Sequence, residues 1–580
     1  MKNSINLILL CFTTALAVAQ EIPVGVELID SSRLEYVQCM SDQGEVLFRD
    51  GDEPILEFKT LEQARFIYKL NSSLPVEKQK INKETPVLLS FEARTSESSE
   101  ETGEAKVLVQ LRQSDSFKDN LDRTLNLGST WKTYYIPFET TQKVPADDLG
   151  VSLQYGFAPQ AFQMKNISFQ VFDKDINIAD LPQTEITYTG MAPDAEWRET
   201  ANKRIERLRQ SDFNITVLKD GKPTKNAQIE VELVKHAFPF GAAMQGDDIL
   251  DNPEQYELFK NAFNLTVLAN DLKIKRWSNK SKRKKTLKVI DKLRDDNITV
   301  KGHVLMWPGF QYNSDEVKAN KDNPEKVKEL VRKHMWSILD ATEGKISHWD
   351  VVNEAYTNRD FQNLMGGEEF LYEAFKIARN KAPRSTRFVN EYGIISKGGI
   401  DTQKQQWYYD YIKRVDENEP GAIQGIGIQS HMGTDLTPPE RVLEILSYYA
   451  TLGKPISISE FTMDETDPVV REQYTRDFMI AAFSHPNVAE FMFWGFQEDG
   501  RGKVDIYEKD GSIGEMGKAY FSLVHDAWKT RASMNLGKKD VLEGRGFHGL
   551  YSYKVMVDGK ESTGYFEVKN QKDNDIEIEL

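Results

Sequence analysis

At roughly 150 residues per domain, a chain of 580 residues is too long for a single small module and calls for several units, one of them large. Its 74 Lys and Arg against 90 Asp and Glu leave a net charge of −16 at pH 7, which excludes the basic footprint of a nucleic-acid binder. A composition 39% hydrophobic and 28% charged is that of an ordinary globular protein, neither disordered nor embedded in a membrane.

The first segment has Lys2, an apolar run from Leu7 to Ala19 broken by Thr13 and Thr14, and a small-x-small ending at Ala17-Val18-Ala19. This pattern predicts a cleaved secretory signal over residues 1–19, too short to span a bilayer. The protein is therefore expected outside the cytoplasm, in the medium, at the cell surface or in the periplasm. Of the two cysteines, Cys11 falls in the signal and only Cys39 remains, so the mature chain can form no internal disulfide. No later stretch predicts a membrane span.

Residues 20–173 carry short period-2 apolar bursts, among them Phe66-Ile67-Tyr68, Val87 to Phe91, Val107 to Leu111, Trp131 to Phe138 and Ile167 to Phe172. Such bursts between polar turns predict an antiparallel β-sandwich. The acidic run from Thr95 to Glu104 has the composition of a solvated loop. Residues 174–193, with Pro182, Gly190 and Pro193, are expected to link this module to the rest. Asp194 to Arg209 then predicts a helix, and Phe213 to Leu218 with Ile229 to Val234 predicts a hairpin whose turn carries Asp220-Gly221; residues 194–237 thus form a pre-barrel segment.

From Phe238 to about residue 530, short apolar strands alternate with longer amphipathic stretches, which is the pattern of repeated βα units. Eight strands are expected: Phe238 to Met244, Val267 to Leu272, Val300 to Trp307, His348 to Asn353, Arg387 to Asn390, Gly425 to Gln429, Ile456 to Ser459 and Glu490 to Phe496. Eight such units predict a (β/α)8 TIM barrel. Residues 531–580 return to β patterning and predict a small C-terminal β unit.

A barrel builds its site at the C-terminal strand ends, and here these ends are polar and aromatic: Asn270, Asp271 and Lys273; His303 and Trp307; Asn353 and Glu354; Asn390, Glu391 and Tyr392; Gln429 and His431; Glu460; Trp494. Glu354 and Glu460 end strands on opposite sides of the barrel mouth. Cleaving a glycosidic bond needs such a pair, one carboxyl protonating the leaving oxygen and one attacking the anomeric carbon, held in different environments. His431 and Gln429 are placed to orient Glu460, Asn353 to bind a hydroxyl beside the reacting carbon, His303 and Lys273 to donate to other hydroxyls, and Trp307 and Trp494 to offer flat faces to sugar rings.

Trp349 to Ala355 (WDVVNEA), Gly302-His303 with Trp307, Gly425 to His431 (GIGIQSH) and Ile458-Ser459-Glu460 resemble, in order, the signature segments of glycoside hydrolase family 10, the endo-β-1,4-xylanases. The resemblance covers about half the chain. It implies a (β/α)8 catalytic domain in which Glu354 is the acid/base and Glu460 the nucleophile of a retaining double displacement. It also implies that Asn270, Asp271, Lys273, His303, Trp307, Asn353, Tyr392, Gln429, His431 and Trp494 contact substrate. Two departures stand out: Asp271 and Leu272 replace the family's usual Glu-Met, and Pro308 follows Trp307 where His is frequent.

The expected protein is a secreted, monomeric endo-xylanase acting on xylan or a related β-linked polysaccharide, with no cofactor, no metal and no nucleic-acid partner. The alternatives are a retaining glycanase for another β-linked backbone and a non-catalytic polysaccharide-binding protein. The N-terminal module resembles carbohydrate-binding modules of jelly-roll type, with Tyr68, Trp131, Tyr134, Tyr135 and Tyr155 as candidate platform aromatics. The basic run Lys280 to Lys285 is expected on the solvated face of a barrel helix, the sharper reading being contact with uronic-acid branches.

Overall fold

Strands whose alternate residues are apolar turn that apolar face to a core, so they must pair face to face, and residues 105–111 illustrate the rule: Ala105, Val107, Val109 and Leu111 are fully buried. The computed structural model describes residues 22–580 except 65, 101, 114–117, 185–186, 466, 537–540 and 572–573; the expected signal lies outside the described residues. The chain divides into two units between residues 185 and 186, with residues 101–104 grouped with the second.

In the first unit two antiparallel sheets enclose one core. One runs Gly44–Arg49, Ile55–Thr60, Gln160–Val171, Pro86–Ser98, Lys132–Glu139, with Val26–Glu27 on Gln160–Val171; the other runs Asn71–Leu74, Val151–Gln154, Ala105–Gln113, Lys118–Leu127. The Phe66 to Tyr68 burst is no strand, since Ile67–Lys69 is a 3-10 turn. The start of the acidic run is not a loop either, because the strand Pro86–Ser98 continues through it. Of the expected linker, Ile176 and Leu181 pack with Leu88, Phe172 and Tyr135.

In the second unit the helix Glu196–Arg209 precedes strands Gln210–Lys219 and Gln228–His236. These two strands do not form the expected hairpin. Asp220 and Gly221 do turn in the left-handed region, but pairing stops at Leu218 with Pro223, which has no N–H to extend a ladder. The strands part into opposite sheets: Gln210–Lys219 pairs with Val541–Phe547 and Asp575–Glu579, and Gln228–His236 with Arg531–Asn535 and Gly549–Val557. An isolated hairpin could not cover Phe213, Ile215, Val217, Ile229, Val231 and Leu233, all buried. The pre-barrel strands and the C-terminal β unit are therefore one sandwich, built from both ends of the barrel segment.

Between them lies a closed barrel of eight parallel strands, Phe240–Met244, Leu265–Leu268, Thr299–Met306, His348–Asn353, Thr386–Glu391, Gly425–Ile428, Ile456–Met463 and Val488–Phe493, sealed by pairing of the first with the eighth and of the sixth with the seventh. Strands buried on both faces read as near-continuous apolar runs, which is why all eight positions are readable in sequence. Two motif glycines are required by close approach: a Cβ on Gly302 would lie 2.2 Å from the Trp349 ring, and one on Gly427 would lie 2.3 Å from Asn390 Oδ1.

Candidate active site

Glu354 is the first residue beyond the fourth barrel strand. Its φ of 54° puts a non-glycine residue in the left-handed region, a strain of the kind found where a side chain must be aimed. The buried carboxylate accepts from Gln429 Nε2 at 3.0 Å on Oε1, and from Trp307 Nε1 at 3.1 Å and Asn358 Nδ2 at 3.2 Å on Oε2. Glu460, within the seventh strand and equally buried, accepts from Asn390 Nδ2 at 2.7 Å on Oε1, and its Oε2 lies 3.4 Å from His431 Nε2. His431 Nδ1 in turn meets Thr462 Oγ1 at 2.9 Å.

Three amides join the two carboxylates. Asn353 Oδ1 accepts from Gln429 Nε2 at 3.2 Å and from Asn390 Nδ2 at 3.1 Å, so a continuous path runs from Glu354 through Gln429, Asn353 and Asn390 to Glu460. Asn390 is held at its other end by Ser459 Oγ, which donates to its Oδ1 at 2.7 Å. With both acceptor sites of Asn353 used, its Nδ2 is buried and meets no hydrogen-bond partner among the described residues. A buried donor without an acceptor is costly and calls for an explanation; a hydroxyl delivered by a bound ligand is one.

Beneath these groups the lumen of the barrel is charged. Lys301 Nζ lies 3.3 Å from Asp350 Oδ1 and 3.4 Å from Glu490 Oε1; Asp350 Oδ2 meets His303 Nδ1 at 3.0 Å, and Glu490 is held by His348 Nε2 at 3.0 Å and by Ser457 Oγ at 2.5 Å. Burial alone would raise the Asp350 carboxyl, but the Lys301 ammonium and His303 outweigh it and hold it below the usual range. The same balance acts on Lys301, where burial opposes the charge and Asp350, Glu490 and Glu460 together raise its pKa. His303, Asp350 and Glu460 offer ligand atoms within 4.8 Å of one another; Asp350 is already neutralised by Lys301.

One side of the mouth is aromatic. Trp307 stacks on Tyr312 with centroids 3.7 Å apart and planes 11° apart, so one indole face is covered by protein while its N–H holds Glu354. Trp494 packs edge-on to His303 at 5.2 Å. Lys273 Nζ sits 5.0 Å from the Trp307 ring and 6.0 Å from that of Trp494, a cation–π arrangement, and donates to Asn270 Oδ1 at 3.1 Å. Asn270 is exposed, its Nδ2 donating to Gln245 Oε1 at 3.2 Å. Tyr392 is half-buried, its OH donating to Thr357 Oγ1 at 3.0 Å with Lys404 Nζ 3.3 Å from its ring centroid. Lys404 pairs with the buried Glu391 at 3.0 Å.

Two expectations need correction. Asp271 does not face the cleft: its buried carboxylate accepts from Gly246 N–H at 2.9 Å and Thr286 Oγ1 at 3.3 Å and pairs with Arg276 Nε at 3.0 Å. It ties the loop after the second strand to the neighbouring helices, so its shortened side chain is no argument for a different sugar. Gln429 does not orient Glu460 through its side chain; its amide holds Glu354, and only its backbone carbonyl accepts the Glu460 N–H, at 2.9 Å. The residues that the sequence reading passed over are Asn390, noted there only as a strand end, together with Lys301, Asp350, Asn358 and Tyr312. Asp350 stands inside the WDVVNEA motif, and Lys301 lies two residues before His303 on the third barrel strand, so both are visible in the sequence.

Residues 231–502 match the model of Glycosyl hydrolase family 10. An anti-sigma-I factor, RsgI6, of Acetivibrio thermocellus is 28% identical over 381 residues, covering 64% of this chain and 48% of its own. Endo-1,4-beta-xylanase 1 of Arabidopsis thaliana is 28% identical over 352 residues, covering 58% of this chain and 35% of its own. The chain thus spans less than half the length of these curated relatives. Among solved structures, xylanase 10B of Thermotoga petrophila in complex with xylobiose aligns with a TM-score of 0.45 at 19% identity, over 50% of this chain and 95% of that one. Residues 231–502 thus carry a domain of the glycosyl hydrolase family 10 type.

Proposed function

We propose that this chain is a secreted, retaining endo-β-1,4-xylanase. The observation that carries the reading is the pair of buried carboxylates joined through three amides, with the Asn353 amide donor unpartnered between them. Glu460 is the nucleophile, fixed by Asn390 and His431 toward the anomeric carbon. Glu354 protonates the leaving oxygen, then takes a proton from the water that hydrolyses the glycosyl-enzyme. Asn353 Nδ2 donates to the hydroxyl next to the reacting carbon, a bond that strengthens as charge develops in the ring. Lys273, His303 and Trp494 bind one side of the cut, and Tyr392 the other.

The Arabidopsis relatives bear the name endo-1,4-beta-xylanase, which supports xylan as the backbone, and the N-terminal pattern of residues 1–19 supports export. The test is reducing-sugar release from xylan, cellulose, mixed-linkage glucan and mannan, with Glu460→Ala as the blank. Short xylo-oligosaccharides, absent in the variant and first appearing as the β-anomer by NMR, are expected. First appearance of the α-anomer overturns the retaining mechanism, and silence on xylan overturns the substrate. A mature N-terminus at Gln20 in the exported fraction is the matching result for secretion.

A further inference from the structure

In the strand Ala105–Gln113 the residues at 105, 107, 109 and 111 point into the core of the N-terminal sandwich, so Leu108 and Gln110 stand on the opposite face of their sheet. The register sets Gln154 against Leu108 on one neighbouring strand and Asp122 against Gln110 on the other. Gln154 Nε2 donates to Gln110 Oε1 at 2.8 Å, and Gln110 Nε2 to Asp122 Oδ2 at 3.4 Å. This string, with Gln110 and Gln154 largely buried and Asp122 exposed, forms together with Leu108 the floor of a groove of about 540 Å³ whose wall carries Phe66, Tyr68 and Phe157. Phe66 is 47% and Tyr68 53% exposed, and their rings lie 5.5 Å apart with planes within 9°.

The other candidate aromatics are committed elsewhere. Tyr134 and Tyr155 are buried, Tyr155 with its OH on Ser72 Oγ at 2.8 Å, Tyr135 packs on the Leu88 cluster, and Trp131 has both Arg94 and Lys165 over its ring at 4.9 and 5.1 Å, whereas the Tyr68 ring has Lys69 alone, at 5.5 Å. Two large exposed near-parallel rings are an unusual thing for a module to leave in water, and beside them Leu108 shares the floor with the amides. An apolar protein segment would take the exposed Asp122 carboxylate out of water and leave the remaining amide positions of the string unmatched. A sugar chain would not: its ring faces are apolar C–H surfaces and its edges are hydroxyls, both donors and acceptors. Each glutamine amide carries two N–H donors and a carbonyl with two lone pairs, more than the string itself consumes.

We infer that the groove walled by Phe66 and Tyr68 and floored by Gln110, Gln154 and Asp122 is a binding site for a neutral β-1,4-linked pyranose chain, separate from the barrel cleft. The choice of polysaccharide rests on the xylanase reading above. A site of this kind raises the local concentration of the cleft on an insoluble polymer, while leaving hydrolysis of short soluble substrates alone.

The test uses the full chain carrying Phe66→Ala and Tyr68→Ala, and separately Asp122→Ala, all at exposed positions where folding tolerates truncation. Retention on insoluble xylan and on cellulose is measured in a Glu460→Ala background, and turnover of xylotetraose in the active background. Expected is a loss of retention of about 10-fold or more for the aromatic pair and a smaller loss for Asp122→Ala, with xylotetraose turnover unchanged; the matrix that retains the parent protein identifies the backbone. Retention of the aromatic double variant equal to that of its parent, or no retention of the parent on either matrix, overturns the inference. Loss of retention in a chain whose active form releases nothing from xylan would instead overturn the catalytic reading and leave the groove standing.

Discussion

Lys301→Met tests the charged lumen most directly. The ammonium is buried between Asp350 Oδ1 at 3.3 Å and Glu490 Oε1 at 3.4 Å, with Ser457 Oγ also at 3.3 Å. Methionine keeps the length of the side chain, so packing against Phe388, whose ring centroid is 5.3 Å from Nζ, is largely preserved, and the change is one of charge. Glu490 keeps His348 and Ser457 as donors, whereas among the described residues Asp350 keeps only His303. Removing one partner of a buried pair costs about 3–5 kcal/mol, and most of it falls here on Asp350. In the parent protein the Asp350 carboxyl is held below its ordinary range, so its contribution is present at neutral pH and lost only as pH falls through that depressed value. In the variant, burial is unopposed by Lys301 and raises the group, so the folded variant gains least at neutral pH and recovers as pH falls and Asp350 takes up a proton. Urea unfolding followed by tryptophan fluorescence should therefore give a gap between parent and variant of about 3–5 kcal/mol at pH 7 that narrows toward pH 3.5. A gap under about 1 kcal/mol at pH 7, within the range of ordinary surface changes, or a gap that does not narrow in acid, would refute the assignment of Lys301 as the counter-ion of Asp350.

Asn390→Asp exchanges the N–H that serves Glu460 Oε1 and Asn353 Oδ1 for a like-charged oxygen while keeping the acceptor for Ser459; steady-state kinetics on an aryl xylobioside should show kcat reduced by about 100-fold or more, and the melting temperature should fall as well, since the new carboxyl is buried against Glu460 without a counter-charge. Gly427→Ala places a Cβ 2.3 Å from Asn390 Oδ1, and the forced shift should cost about 1–3 kcal/mol and lower kcat more than it changes KM. Asp271→Asn, by contrast, should lose about 1–3 kcal/mol of stability through its bonds to Gly246, Thr286 and Arg276 and leave KM for xylan within about two-fold; a several-fold rise in KM would return Asp271 to the cleft.

The barrel was legible because its strands are buried on both faces and the polar residues cluster where each apolar run ends; seven of the eight ends carry groups now found around the mouth. What stayed hidden was partner choice. Asn270 and Asp271 are adjacent in sequence, yet one lies exposed at the mouth and the other ties down a helix, and only the local turn decides which is which. Gln429 and His431 belong to one motif two residues apart, but the left-handed Ser430 between them sends one side chain to Glu354 and the other to Glu460. Alternation placed Tyr155 and Tyr68 in the same class of candidate, because period 2 reports the side of a strand and not what covers that side. The supposed hairpin failed for a related reason: the faces of Gln210–Lys219 and Gln228–His236 are correctly apolar, but the strands that cover them come some three hundred residues later in the chain, beyond any local signal. The amides that bind the two carboxylates into one unit come from three different strands or strand ends. A motif read along the chain names the acids, and the register across the sheet decides which amide holds which acid, so the variants most informative about catalysis are Asn390 and Gly427, paired across two strands, rather than further changes at the glutamates themselves.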